Sequence, residues 1–519
     1  MKLEEMKWYR LAVMKPLFPY TIWFSQQHLH QGLREEDPAR GDLYPLMEKA
    51  GSFTELNDGG WRIRNEGTDP AFITRLFGAF FPYSWVQISG YPGGGEIGLS
   101  VYQKEKDGSV IRTDILMLEE GEESFQQLIV VRKHEKGKLT EIGRKKIPEA
   151  GQQNGFEVGF RTGGGIRKEE NGAWIDIMIS DFNGRKVLFT VSAPWLYPAG
   201  LASENHRFKL AGYLGTSSKD PRRHPENHYM ASALYPALAF ADIRPIREKN
   251  GKVLVVNGRI FFSASARMAE GSYQMIVSWR PGTMDFDTEG ALFFDYGDGR
   301  YHADVASSIL YDRENDEYLL WNCAFSEGHI LAYGRTKADL LHGIHRVPVQ
   351  LMEKWEGADV CDFSQRFGDE DPDFYYDSER NKWVLAICRL NGEEQEVYQY
   401  YRFESEDPFT AYRFVEKTSG LHETGGSFVL TKEGRYFVSG ADGGKKSCYY
   451  IRPAEDFSVQ KEAVFDYPDG GFRGWGTVIP VEEAAGEKLY WLTFDRALSS
   501  DYNWSYGNLY LFEGGPMDI

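Results

Sequence analysis

Between residues 96 and 192 the chain repeatedly sets short apolar or alternating runs between polar turns. Glu96–Gln103, Val110–Leu118, Gln127–Lys133, Phe156–Arg161, Trp174–Ile179 and Lys186–Ser192 are separated by KDG, GGG, ENG and FNG sequences. Alternation with a period of two, closed off by glycine and asparagine turns, predicts half-buried strands of an antiparallel sandwich. Helical patterns are expected at Asp42–Lys49 and at Asp69–Phe80, where Asp69 can cap and Pro70 can occupy the first turn. The stretch 219–235, with KDPRRHPENHYM, has charges and prolines but no apolar periodicity, so it reads as a linker.

Beyond that stretch one pattern recurs five times. An aromatic-rich strand appears as RIFFSASA from Arg259, EYLLWNCA from Glu317, KWVLAICR from Lys382, RYFVSGAD from Arg435 and LYWLTFDR from Leu489. The equivalent residues Ile260, Tyr318, Trp383, Tyr436 and Tyr490 are 58, 65, 53 and 54 positions apart. Each copy is followed by a further strand: YQMIVSWR, HILAYGRT, VYQYYRFE, SCYYIRPA and GNLYLFEG. Five units that each need a neighbour on both faces favour a closed ring over an open series. The expected fold is therefore all-β: an N-terminal β-sandwich (jelly-roll or concanavalin-like) over residues 1–230, then a C-terminal five-bladed β-propeller over 231–519.

Composition narrows the function. With 42% hydrophobic and 26% charged residues, the chain is neither disordered nor membrane-spanning in character. A net charge of −18 repels a phosphate backbone, which argues against nucleic acid, and no run is apolar enough for a membrane helix. The amino terminus is broken by Glu4, Glu5, Arg10, Lys15 and Pro16, unlike a secretory leader, so a cytoplasmic location is expected. Cys323, Cys361, Cys388 and Cys448 form no CxxC pair and read as free thiols in or near strands. The 15% aromatic content suits large sheets and sugar-stacking surfaces alike.

The candidate chemistry sits where the innermost strands begin. Asp242 in FADIRPI, Asp304 in HADVASSILYD, Asp371 in DEDPDFYYD and Glu423 in HETGGSFVL give four carboxylates, and the fifth strand reads FRGWGTVIP. A single acidic residue there is usually a solvated turn. Four at matching places would repel one another, leaving one protonated and another ionised, the division of labour that glycosidic cleavage needs. Arg300, His302, Arg366, His422, Arg473 and Trp475 lie beside these positions and can bind hydroxyls, a carboxylate or a sugar face, though loop and packing roles suit them equally.

DPDFYYDSERNKWVLAI and HETGGSFVLTKEGRYFVSG resemble the third- and fourth-blade motifs of glycoside hydrolase family 43 and its five-bladed relatives, over roughly residues 235–519. The resemblance implies a general base at Asp242, a carboxylate that tunes and orients at Asp371, and a general acid at Glu423, with Asp242 or Asp304 acting on water or on the anomeric carbon. The chain departs from the family pattern in three places. Ala241–Asp242–Ile243–Arg244 lacks an Asp-Pro pair, Thr424–Gly425–Gly426 follows Glu423 in place of Gly-Pro, and Glu370 precedes Asp371 where fructan-processing relatives carry arginine.

The resulting expectation is an exo-acting glycoside hydrolase taking a small carbohydrate substrate. Phosphorolysis or lyase chemistry, and a noncatalytic glycan-binding propeller, are the competing readings. No cofactor or metal is called for, although the resemblance allows a structural ion in the channel, and a homo-oligomer stays open. His28–Leu29–His30 lacks a third metal ligand, and His224 and His228 have Pro225 where a zinc helix needs glutamate. Gly163–Gly164–Gly165 lacks the lysine of a phosphate loop, and Glu119–Glu123 reads as a solvated acidic turn.

Overall fold

The computed structural model describes residues 2–14, 23–24, 53–56, 62–65, 71–73, 84–104, 109–120, 126–147, 155–163, 174–181, 187–196, 209–215, 224–234, 239–268, 271–297, 302–352, 366–391, 397–419, 422–441, 448–465, 472–484, 486–495 and 508–516. They form an all-β chain; the helical turns among them are the short 3-10 segments Leu3–Glu5 and Phe325–Glu327. Two compact units result. One comprises Thr21–Tyr235 with Asp298–Tyr301, the other Met1–Tyr20, Pro236–Gly297 and His302–Ile519.

The first unit has two sheets. One runs, edge to edge, through Lys138–Lys146, Gln126–Glu135, Val110–Glu120, Glu96–Lys104, Lys209–Leu214 and Ala71–Ile73. The other runs through Val187–Ala193, Trp174–Asp181, Gly155–Gly163, Ser84–Tyr91, Glu226–Leu234, Arg62–Asn65 and Phe53–Leu56. Alternate residues of both sheets meet in one apolar core, including Val86, Leu99, Ile115, Val131, Val158 and Ile177. That is the expected consequence of period-two patterning.

All six expected strands of this unit are present, with three corrections around them. Glu226–Leu234, placed in the linker, is a strand paired on one edge to Ser84–Tyr91 and on the other to Arg62–Asn65 and Trp23–Phe24. Ladder bonds on both edges hold this segment, whose polar opening gave no alternation to read. Within the helical pattern expected at Asp69–Phe80, Ala71–Ile73 is a strand, its backbone groups taken by Lys209–Leu214; the rest of that pattern and Asp42–Lys49 lie outside the described residues. Lys138–Lys146, which the apolar pattern did not mark, is a mostly exposed strand reached through a turn with Lys136 and Gly137 at φ 50° and 76°.

The second unit carries five sheets in chain order. Their first, second and third strands are Ala239–Pro245, Arg259–Met268 and Gly271–Trp279; Val305–Asp312, Glu317–Ala324 and Ile330–Thr336; Arg366–Asp377, Lys382–Asn391 and Val397–Ser405; Glu423–Thr431, Gly434–Ala441 and Cys448–Pro453; and Phe472–Glu483, Gly486–Asp495 and Leu509–Pro516. All ten repeated strands read from the sequence are there. Each sheet's first strand lies against the next sheet's first strand, and the fifth lies against the first, so the five inner strands form a closed cycle.

The fifth sheet is completed by Met6–Met14, antiparallel to Leu509–Pro516. This moves the first residues out of the N-terminal unit to which 1–230 assigned them, and that unit runs on to Tyr235. Trp8 fixes the join, its ring standing edge-on to Trp491 at 4.8 Å. An isolated N-terminal strand carries no sequence signal for a partner hundreds of residues away.

Candidate active site

Each inner strand loses register with the second strand of its sheet at a corresponding place; the third also shifts earlier, between Arg366 and Gly368. The breaks fall between Ala241 and Arg244, Val305 and Ser308, Glu370 and Asp373, Thr424 and Ser427, and Arg473 and Thr477. In four of them the residue that follows the first of these is left-handed: Asp242 at φ 48°, Ala306 at 60°, Asp371 at 48° and Gly425 at 61°. Bulges of this kind re-aim side chains, and aspartate tolerates the left-handed region better than most residues. At Gly425 glycine is required twice over, since an added Cβ would also lie 2.1 Å from the Gly474 carbonyl oxygen.

This register corrects the expectation of four equivalent carboxylates. Asp242 and Asp371 share the bulge position, whereas Asp369 and Glu423 stand two residues before it on their strands and Asp304 stands two residues before it, just ahead of its strand. The two sets have different surroundings.

The upstream set is tied to fixed donors. Asp304 accepts from Tyr296 Oη at 2.6 Å, Ser326 N at 3.0 Å and Ser326 Oγ at 2.7 Å. Asp369 pairs with Arg389 at 2.9 Å, both buried. Glu423, fully buried, accepts from Arg452 Nη2 at 2.8 Å on one oxygen and from Ser439 Oγ at 2.6 Å on the other. Arg452 also donates to Ser439 Oγ at 3.0 Å and Gln460 Oε1 at 2.7 Å. Guanidinium groups only donate, so these carboxylates act as acceptors.

The bulge set lines up across the ring. Asp242 accepts from Ser265 Oγ at 2.6 Å. Asp371 accepts from Thr424 Oγ1 at 2.8 Å and Gly425 N at 2.9 Å, both on the neighbouring inner strand. Arg244 spans between them: it donates to the Pro372 carbonyl at 2.8 Å and the Ala306 carbonyl at 3.3 Å, and its Nη2 is 3.5 Å from Asp371 Oδ1. Burial pulls the Arg244 pKa down, but Asp371, Asp373 and Asp242 outweigh it and hold the group charged. Below them Asp373 is locked by Arg247, Ser308 and the Phe428 amide, a tie between inner strands.

Glu370, next to Asp371, stands out in the sequence only as a departure from a motif. It is buried and meets His329 Nε2 at 3.1 Å. Burial is the main reason its carboxyl is pushed up to about 7; Asp371 and Asp242 push the same way, and His329 opposes them. The sequence signal is three consecutive carboxylates, Asp369–Glu370–Asp371, just ahead of the aromatic run Phe374–Tyr375–Tyr376 of the same strand. Cys388 and Cys323, both buried thiols held well above their ordinary values chiefly by burial, feel Glu370 and Asp371 as well.

Of the expected binding residues, His302 is brought to this end of the ring, with Nδ1 2.7 Å from Ser326 Oγ and its ring 4.5 Å from Tyr296. His422 is half-buried at φ 60°, directly before Glu423, and Trp475 is buried in the break of the fifth inner strand. Arg300 lies outside the described residues, as do the side chains of Arg366 and Arg473. So do His28, His30 and Cys361. Glu226–Leu234 is a strand, which removes any helical zinc motif from His224 and His228. Among the described residues no group of three His, Cys, Asp or Glu is arranged to hold a metal ion, and no helix is long and apolar enough to cross a membrane.

No family model and no curated protein matches the chain. Among solved structures it is similar to a thermostable family-43 glycoside hydrolase, at 12% identity over 53% of this chain and 88% of that one, with a TM-score of 0.36. The catalytic domain of a family 62 α-L-arabinofuranosidase from Coprinopsis cinerea is similar at 11% identity over 54% and 91%, TM-score 0.33. A family 93 α-L-arabinofuranosidase of Fusarium graminearum, in complex with arabinobiose, is similar at 10% identity over 80% and 93%, TM-score 0.33. At such identities and TM-scores the function has to be read from the site itself.

Proposed function

We propose that the second unit is a five-bladed β-propeller, that the first is a β-sandwich, and that the propeller mouth cleaves a glycosidic bond in a small carbohydrate, acting from a chain end. The observation that carries this reading is the pairing of Asp242 and Asp371 at the same left-handed bulge on two inner strands, with Arg244 between them and a third carboxyl, Glu370, adjacent. Carboxyls whose environments differ this much can divide acid and base work at neutral pH. Asp242, which accepts from the Ser265 hydroxyl, is the base that takes a proton from water as it attacks the anomeric carbon. Asp371, fixed by Thr424, Gly425 and Arg244, orients the sugar and stabilises positive charge developing at that carbon.

The test is product release from a panel of aryl furanosides and pyranosides and plant and fructan oligosaccharides, with and without phosphate. Wild-type chain should release one sugar class without phosphate, and Asp242→Asn should lose at least about a hundredfold in kcat. Strict phosphate dependence would transfer the assignment to phosphorolysis. Ligand binding without turnover by wild type would leave a glycan-binding propeller.

A further inference from the structure

Among the carboxyls gathered at this end of the ring, Glu423, Asp304 and Asp369 spend their oxygens on fixed donors, and Asp371 is held by Thr424 and Gly425. Glu370 is placed differently. Its partner among the described residues is an imidazole that can either give or take a proton, and the site is built to keep that imidazole there. His329 sits at φ 61° directly after the left-handed Gly328. Its carbonyl accepts from the Asp369 amide at 3.0 Å. Its ring packs on Phe325 at 4.8 Å. Gly368 leaves the room: a Cβ there would lie 2.4 Å from His329 Nδ1. His329 keeps about a quarter of its side chain in solvent (25%), while Glu370 is at 6%. The pair therefore links a buried carboxyl to bulk water.

We propose that Glu370, positioned by His329, is the proton donor to the departing glycosidic oxygen, and that Glu423 is a structural anion. The inference rests on the glycosidase reading. In the step, the Glu370 O–H bond breaks and an O–H bond forms on the glycosidic oxygen. That oxygen keeps the electron pair of its bond to the anomeric carbon and leaves as an alcohol. Water supplies the new oxygen and gives its proton to Asp242, so Glu370 ends as carboxylate and Asp242 as acid. His329 then returns a proton from solvent to Glu370. The ionisable groups facing Glu370 are His329 from the second sheet, Asp242 from the first, Asp371 on its own strand, and the Cys323 and Cys388 thiols; its propensity to stay protonated comes from burial together with Asp371 and Asp242.

The experiment compares wild type, Glu370→Gln, Glu423→Gln and His329→Gln on two glycosides of the sugar the panel identifies, one with an alkyl and one with a dinitrophenyl leaving group. A dinitrophenolate departs without protonation. Glu370→Gln should therefore cost at least about a hundredfold on the alkyl glycoside and under about tenfold on the dinitrophenyl one. His329→Gln should move the alkaline limb of the pH–rate profile on the alkyl substrate. Equal losses on both substrates in Glu370→Gln, or a leaving-group-dependent loss in Glu423→Gln, would overturn the proposal. A second readout needs no substrate: the infrared band of a protonated carboxyl at neutral pH should vanish in Glu370→Gln and persist in Glu423→Gln. Its persistence in Glu370→Gln sinks the proposal even if wild type is active. Inactivity of wild type on the whole panel sinks the glycosidase reading instead, and leaves the infrared result to say whether Glu370 holds a proton.

Discussion

Ile115, Val131, Val158 and Ile177 meet in an interior of the two-sheet unit that is overwhelmingly aliphatic, with Asp114 and Glu157 as its buried carboxylates among the described residues. The ring unit buries Asp369 on Arg389, Asp373 on Arg247 and Glu423 on Arg452. Some of its apolar clusters are rich in rings, as in Trp321, Phe374, Trp383, Phe403 and Tyr412, while the one around Leu292 and Leu320 is mainly aliphatic. Two sheets facing each other can be satisfied by alternation alone. Five inner strands packed against one another in a closed cycle, each with a break in its ladder, bring backbone and side-chain polar groups together, and buried charge there has to be paired or it costs several kcal/mol per ion. The pairing leaves Glu370 on a histidine, and Asp242 and Asp371 on hydroxyl and amide donors, and these are where chemistry becomes available.

Removing a partner from one of the ring's ion pairs should do the most damage. Arg452→Met strands the Glu423 carboxylate and should cost about 3–5 kcal/mol in urea unfolding followed by tryptophan fluorescence. A cost under about 1 kcal/mol would mean that the ring's charges are not paired by necessity.

The next effect is a pH dependence. Glu370 has a folded pKa of about 7 against an ordinary 4.5, so between those values the folded state binds its proton more than the unfolded state does. Its contribution is therefore fully present below about pH 4.5 and is lost as pH rises through about 7, on the order of 3 kcal/mol in total. Subtracting unfolding free energies of Glu370→Gln from those of wild type across this window should give that falling difference. A flat difference would contradict the assigned burial and charge coupling.

Truncation in the aliphatic core should be smaller and local. Ile177→Val is expected to cost about 0.5–1.5 kcal/mol, with turnover per folded molecule unchanged; a loss of turnover would join the two-sheet unit to the chemistry. Least of all, Leu139→Lys on the exposed strand Lys138–Lys146 should stay within about 0.5 kcal/mol by the same unfolding measurement.

The same contrast explains what the sequence disclosed. Strands such as Lys382–Asn391 and Glu317–Ala324 announced themselves, because apolar runs between turns are local facts and their repeat gave the five sheets. The strand Met6–Met14 did not, because its place depends on Leu509–Pro516. The acidic positions were legible as a group, but not their sorting. Whether a carboxylate stands at a bulge or two residues before it is set by pairing register, and that requires knowing which residue of the second strand faces which of the first. Glu370 was hidden for a related reason: His329 lies 41 residues earlier and reaches it only through the packing of the second sheet on the third.

The central claim is that carboxylates at the left-handed bulges do chemistry while those upstream hold the ring together. The most direct test sets Asp371→Asn beside Glu423→Gln and measures both turnover per folded molecule and melting temperature. The account predicts that Asp371→Asn loses turnover even where it is fully folded, and that Glu423→Gln melts well below wild type yet turns over substrate while folded. The reverse pattern, a stable but inactive Glu423→Gln beside an active Asp371→Asn, would contradict it.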